Sequence, residues 1–344
     1  IHAMQAFGGP TSAIPLVFIP VFGALTGLLF ALVFGWVSTT RAGTAFAMIS
    51  LGLGELVAAS SLIMRSYFGG EEGVSSDRSK LATWLGLDFG AQIQVYYLIA
   101  AWTLIAVIGM YAITQTPFGR MANAVRENPE RAEFIGYSTQ MIRFISFCLA
   151  GFFAGIAGAL AAINFEIMNA LSVSGAQSGS VLLMTYIGGV GHFLGPILGA
   201  VLITALQISL SDFTGAWMLY FGLMFILVVM YVPGGLAGLI MIHEPIARAG
   251  LFHRLLPAYF LASAPALICV AGAVSIIELA HHALVKAATE GPTMTVLGFA
   301  FSSREISPWL IATGLFALGI WLCRRTWPRV RDAWSQVHLL IKQY

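Results

Sequence analysis

Glu55 sits in LGLGELVAAS, inside a run of apolar residues, where a carboxylate is costly unless it is paired, protonated or facing water. Two chemistries suit it: a station on a path for a polar solute or cation, or a hydrogen bond between helices. Asn164 and Glu166, with Asn169 close by, read as the rim of such a path. Glu278 and His281 are one helical turn apart, yet the adjacent His281 and His282 point to different faces, so no metal site is expected. His192, in a glycine-rich turn, suits a hydrogen-bonding role better than a proton relay. Cys148, Cys269 and Cys323 lie within or at the end of apolar segments without ligand spacing and read as buried thiols. A GxxxxGK[ST] phosphate loop, GxSxG, HExxH and CxxC are all missing, so this chain is not expected to be an enzyme or to hold a cofactor. Any energy source must be an ion gradient or another subunit.

The densest group of ions is TPFGRMANAVRENPERAEFIGY, Thr116 to Tyr137. Thr116 is a good N-cap with Pro117 at the first helical position, so a helix should start there and stop before Pro129. Asn128 should then cap a second helix, with Glu130 in its first turn and Gly136 just past its end. The expected form is helix, elbow, helix. Phe118, Met121, Ala122 and Val125 fall at i, i+3, i+4, i+7, while Arg120, Asn123 and Glu127 share another face. The apolar side can rest on the protein and the charged side can meet a partner, although a solvated loop helix would show the same pattern.

The elements that must position these residues are membrane spans. Apolar residues make up 58% of the 344, charged residues only 9%, and mean hydropathy is +0.86, too apolar for a soluble core of this size. A net charge of +2 without a long basic run argues against nucleic acid as a partner. Spans are expected at residues 14–37, 44–64, 95–114 and 144–163, with a polar outer loop at 65–94 that includes Lys80. The loop 115–143 carries Arg120, Arg126, Arg131 and Arg143 and is expected on the cytoplasmic side, as is Arg41. Ser180 to Leu210 is too short for two ordinary crossings, which take about forty residues. Two short helices broken at Gly188, Gly189, Gly191, Gly195 and Pro196 are expected instead, buried in protein or lining a cavity. A further span, 217–232, should end in PGGLAGL, with His243, Glu244, Arg248 and Arg254 in the cytoplasm. Gly151 with Gly155, Ala154 with Gly158, and Gly191, Gly195 and Gly199 give small-residue faces for close helix packing.

Residues 241–344 read as an extension. It should hold a span at 257–280, a polar external loop at 281–308, and a short span at 309–323 stopped by Arg324, Arg325, Arg329 and Arg331. The tail, 327–344, suits an amphipathic helix lying on membrane lipid or a frayed end. The chain opens on Ile1 with no signal-like segment, and its native beginning is expected to be missing.

Several of these stretches, in this order, resemble a known family. They are RAGTAFAMISLGLGEL (Arg41 to Leu56), FGGEEGV (Phe68 to Val74), the Thr116 to Tyr137 segment, FCLAGFFAGIAGALAA (Phe147 to Ala162), SGSVLLMTYIGGVGHFLGPILGA (Ser178 to Ala200) and VPGGLAGL (Val232 to Leu239). Together, over roughly residues 15–240, they look like the LivM-type permease of branched-chain amino acid ABC importers. The resemblance implies an all-α, type II importer bundle with broken or re-entrant helices in a bacterial inner membrane. It also implies as partners a LivH-like second permease, two ABC ATPases holding ATP and magnesium, and a periplasmic solute-binding protein. In the family the elbow is the loop that couples to an ATPase, which would give that role to Arg120, Arg126, Glu127, Asn128, Pro129, Glu130, Arg131, Ala132 and Gly136. The resemblance divides the chain into a permease core, 1–240, lacking the usual first helices, and an extension, 241–344. Related permeases serve branched-chain amino acids, urea, short amides and aromatic acids. An ion-coupled secondary transporter using Glu55, or a membrane-embedded enzyme, are the readings from other classes.

Overall fold

The computed structural model describes residues 1–7, 15–78, 89–232, 234–287, 291, 293–296, 299–302 and 305–341. Lys80, Pro233 and parts of the expected spans' edges and of the 281–308 loop lie outside the described residues. The chain divides into two units, Ile1–Ser180 and Val181–Tyr344. Among the described residues, seven helices are long and apolar enough to cross a membrane, and a bent pair of helices could form an eighth span.

The first unit holds α1 (His2–Phe7), α2 (Ile19–Ser38, entered by a 3-10 turn), α3 (Thr44–Ile63), α4 (Arg65–Phe68) and β1 (Val74–Ser75). It continues with α5 (Gln92–Gln115), α6 (Pro117–Glu127), α7 (Pro129–Phe134), α8 (Thr139–Phe165), β2 (Ile167–Met168) and the start of α9 (Gly175–Gly188). Its axis is the antiparallel pair α2 and α8. A Cβ built on Gly23 would lie 2.5 Å from the Gly155 carbonyl oxygen, one on Gly27 would lie 2.9 Å from Gly155 Cα, and one on Gly151 would overlap Ala31. Bare glycines on both helices thus bring backbone against backbone, the packing that small-residue spacing allows in lipid. Gly158, one turn along α8, faces open space. Around this seam Ala24, Ile156 and Leu160 pack with Trp102, Phe152 and Phe153. Large apolar side chains elsewhere are bare, as on α3 and α5 at Leu51 and Leu104, which suits surfaces meeting lipid or other subunits rather than water.

In the second unit are α10 (Gly195–Phe213), α11 (Trp217–Tyr231), α12 (Gly235–Arg248), α13 (Leu256–His281), the strands β3 (Thr293–Val296) and β4 (Phe299–Ser302), and α14 (Ile306–Ile341). Three expectations are corrected here. The helix after the glycine-rich turn is not short: Pro196 starts it, no breaker follows until Thr214 turns extended, and its length suffices for a crossing. α11 ends at Tyr231, as expected of the span before PGGLAGL, and α12 follows at 46° to it and runs to Arg248. The 281–308 segment is not merely a loop, since β3 and β4 pair antiparallel within it. Finally, Arg324 does not stop a helix. Arginine ends a membrane span because of its charge, yet it is a good helix former, and α14 runs unbroken for 36 residues through Pro328. One face of its last turns is docked on protein. Val337, with Ala333 and Trp334, packs on Ile246, Leu255, Leu251 and Tyr259.

Candidate functional site

The elbow forms as its caps dictate. Thr116 Oγ1 accepts a hydrogen bond from the Gly119 backbone N–H at 3.3 Å, and Asn128 Oδ1 accepts one from Arg131 N–H at 3.0 Å. Gly136 adopts φ +90°, which a side chain disfavours, and lets the Tyr137 N–H reach the Ala132 carbonyl. Gly119 has its own reason: a Cβ there would meet the Ile113 carbonyl oxygen at 2.6 Å, so its absence permits the tight turn from α5 into α6.

Underneath, Val125, Ala132 and Ile142 form a small core with Phe118, Met121 and Ala122, so the stripe read from the sequence is the face that packs on α8. Glu133 accepts a hydrogen bond from the Thr139 hydroxyl at 2.6 Å, which ties α7 to the first turn of α8. Arg120, Arg126, Glu127, Asn128, Pro129, Glu130, Arg131 and Gly136 lie on the outer side, all exposed, whereas Ala132 is 1% exposed and belongs to the support. Sequence reading passed over the end of the elbow, where Phe134 is 90% exposed and Ile135 and Tyr137 are also bare. A buried, capped underside beneath an outer face of ions and bare aromatics makes a rigid platform.

Asn164 and Glu166 lie at the far end of α8 from the elbow. Glu166, itself in the left-handed conformation at φ +57°, accepts the Arg78 backbone N–H at 2.9 Å and lies 3.7 Å from the Arg78 guanidinium. Arg78 also donates to the Ile163 carbonyl and to Gln92, and Gln92 donates to Asn164 at 3.2 Å. These bonds tie the segment after α4 to α5 and α8. Arg78→Ala should therefore lower thermal stability by about 1–2 kcal/mol, since it removes the bonds to the Ile163 carbonyl and Gln92 while the backbone N–H bond to Glu166 survives, and a melting curve in detergent reads it directly.

Glu55 is on the twelfth residue of α3, near mid-span, with its carboxylate exposed in this chain. A Cβ on Gly175 would lie 2.7 Å from Glu55 Oε1, so the glycine makes room for the acid. Among the described residues no cation pairs with it. In the second unit, Gly188, Gly189, Gly195 and Gly199 form a knot of backbone: a Cβ on Gly188 would overlap the Gly195 carbonyl, and one on Gly195 that of Gly189. Gly189, at φ +109°, lies against Gly234 and Gly235, while Gly191 faces open space. Pro196 starts α10 from this knot. Glu278 accepts a hydrogen bond from the Tyr220 hydroxyl at 2.8 Å, joining α13 to α11.

A bundle of apolar helices carrying an ordered, ion-rich platform defines a multi-pass membrane protein. The chain belongs to the branched-chain amino acid transport system permease component family, whose model matches residues 3–233. It is 27% identical over 215 residues to the high-affinity branched-chain amino acid transport system permease protein LivM of Escherichia coli K12, covering 56% of this chain and 51% of that protein. It is 27% identical over 147 residues to the autoinducer 2 import system permease protein LsrC of Photorhabdus laumondii, covering 40% and 41%. It is also 30% identical over 117 residues to the guanosine ABC transporter permease protein NupQ of Bacillus subtilis, covering 34% and 36%. The chain spans about half the length of the LivM proteins it matches. No solved structure matches. Seven apolar helices among the described residues, with the permease relatives, make this an inner-membrane protein.

Proposed function

We propose that this chain is the permease subunit of an ATP-driven importer for branched-chain amino acids or a related small solute, moved by partner ATPases that grip the elbow. One observation carries the reading: the elbow is rooted in α8 by a buried apolar face while its ionic face is exposed and makes no ion pair with a described residue. Arg41, in the turn after α2, lies at the same end of the antiparallel α2 and α8 pair as the elbow, so basic residues gather at one end of the first unit and support a cytoplasmic position. ATP, bound with magnesium by the partners, would favour the arrangement in which they close, and the elbow would pass that bias to the bundle. A second permease and a binding protein complete the proposed assembly. In the same reading Glu55 lies on the solute path, with the Asn164 and Glu166 end of α8 at its outer rim.

The test is reconstitution of the chain with its neighbouring permease and ATPases in proteoliposomes, with binding protein and radiolabelled leucine outside. Uptake is expected only with ATP on the ATPase side. Uptake driven by an ion gradient, in liposomes without the ATPases, would sink the reading and favour a secondary transporter built on Glu55.

A further inference from the structure

The most concentrated positive charge among the described residues lies beyond the family match, on α14. Arg324, Arg325, Arg329 and Arg331 are all exposed, and none makes an ion pair with a described residue. They fall into two rows on the helix. Arg324, Trp327 and Arg331, at i, i+3 and i+7, share one side, and Trp321, Arg325 and Arg329, at i, i+4 and i+8, share another. In the second row the Arg325 guanidinium stacks over the Trp321 ring at 4.8 Å. Trp321 and Trp327 are themselves 53% and 66% exposed.

Three features make this more than the usual bias of basic residues beside a span. The apolar stretch before Arg324 begins at Ile306, and eighteen residues of helix span about 27 Å, so the first arginines emerge where hydrocarbon gives way to headgroups. Second, the rows are held rigidly. The intervening face, through Val330 and Val337, is buried, and Trp334 Nε1 donates at 2.9 Å to the Tyr259 hydroxyl, which also bonds His243 at 2.7 Å. Third, acidic neighbours are few: Asp332 on α14 itself, and Glu244 on α12, which Arg248 already engages. Exposed Arg254, beside the buried Leu255 of the docking site, adds to the same charge.

We infer that the Arg and Trp rows of α14 bind the phosphodiester headgroups of anionic phospholipid. Guanidinium forks match phosphate oxygens in pairs, and the indoles occupy the interfacial layer beside them. Lipid bound there pins the α13 and α14 hairpin at a set depth.

The purified full chain, in mild detergent, is titrated with phosphatidylglycerol or phosphatidylcholine, and bound lipid is counted by native mass spectrometry. Phosphatidylglycerol should bind at least about tenfold more tightly, a preference that shrinks as salt rises toward about 1 M. Replacing the four arginines together by glutamine should abolish the preference, whereas Arg41→Gln with Arg65→Gln should leave it intact. Inorganic phosphate alone should not compete at equal concentration, because a free ion offers no membrane-depth match. Equal binding of the two lipids by the wild-type chain overturns the inference whether or not the variant folds, as does an unchanged preference in a folded quadruple variant. Competition by phosphate alone would overturn the lipid assignment in favour of a phosphate site.

Discussion

Gly155→Val is expected to leave little folded protein. The glycine's missing Cβ is what allows the Gly23 carbonyl and the Ala24 backbone to lie against α8. A valine there meets backbone rather than a flexible side chain, so nothing local can yield and the two helices must separate. Overpacking of rigid surroundings costs about 1–3 kcal/mol, and parting α2 from α8 also opens the Ala24, Ile156 and Leu160 cluster, so the loss should reach the top of that range or beyond. Gly158→Val supplies the control, since one turn away the same change points into open space. Thermal melting or protease resistance in detergent should separate the two variants clearly. If Gly155→Val melts like wild type, the helices do not touch backbone to backbone.

The double variant Glu127→Ala, Arg131→Ala should behave in the opposite way, folding normally and failing to transport. Both side chains are exposed and neither is in an ion pair with a described residue, so removing them takes little from the stability of this chain. At an interface with an ATPase the same charges become desolvated partners, whose loss costs far more than their loss at an open surface. ATP-driven uptake is expected to fall by at least about tenfold, with assembly unchanged by size-exclusion chromatography. Phe134→Ala, which removes the most exposed aromatic of the elbow, should lower uptake further in combination. Wild-type uptake in the double variant would remove the elbow from the mechanism.

The elbow was the most legible part of the chain because its signals are local. Thr116 and Asn128 cap helices within three residues of themselves, Gly136 turns the chain beside them, and the packed face follows from spacing within one helix. What escaped sequence reading depends on partners distant in the chain. The small residues of α8 were visible as a packing face, but nothing in their spacing pointed to Gly23 and Gly27 as the surface they meet. Arg78 and Glu166 come together only through the fold, 88 residues apart. The expected span and the expected tail helix prove to be one helix, because the charge that halts insertion into a membrane leaves backbone hydrogen bonding unaffected at that boundary. Its docked face, through Val330 and Val337, obeys the amphipathic period, but the period alone does not say whether such a face meets lipid or protein.

Contact between the α2 and α8 main chains also limits how this half of the molecule can move. Two rods interlocked through their peptide groups cannot slide or roll without first coming apart, so in any transport cycle they must travel as one strut. The bending then falls to the joints at the strut's elbow end, where Gly43 and Gly136 both hold positive φ angles, +66° and +90°, with open space around them. At those two residues the backbone has room to turn.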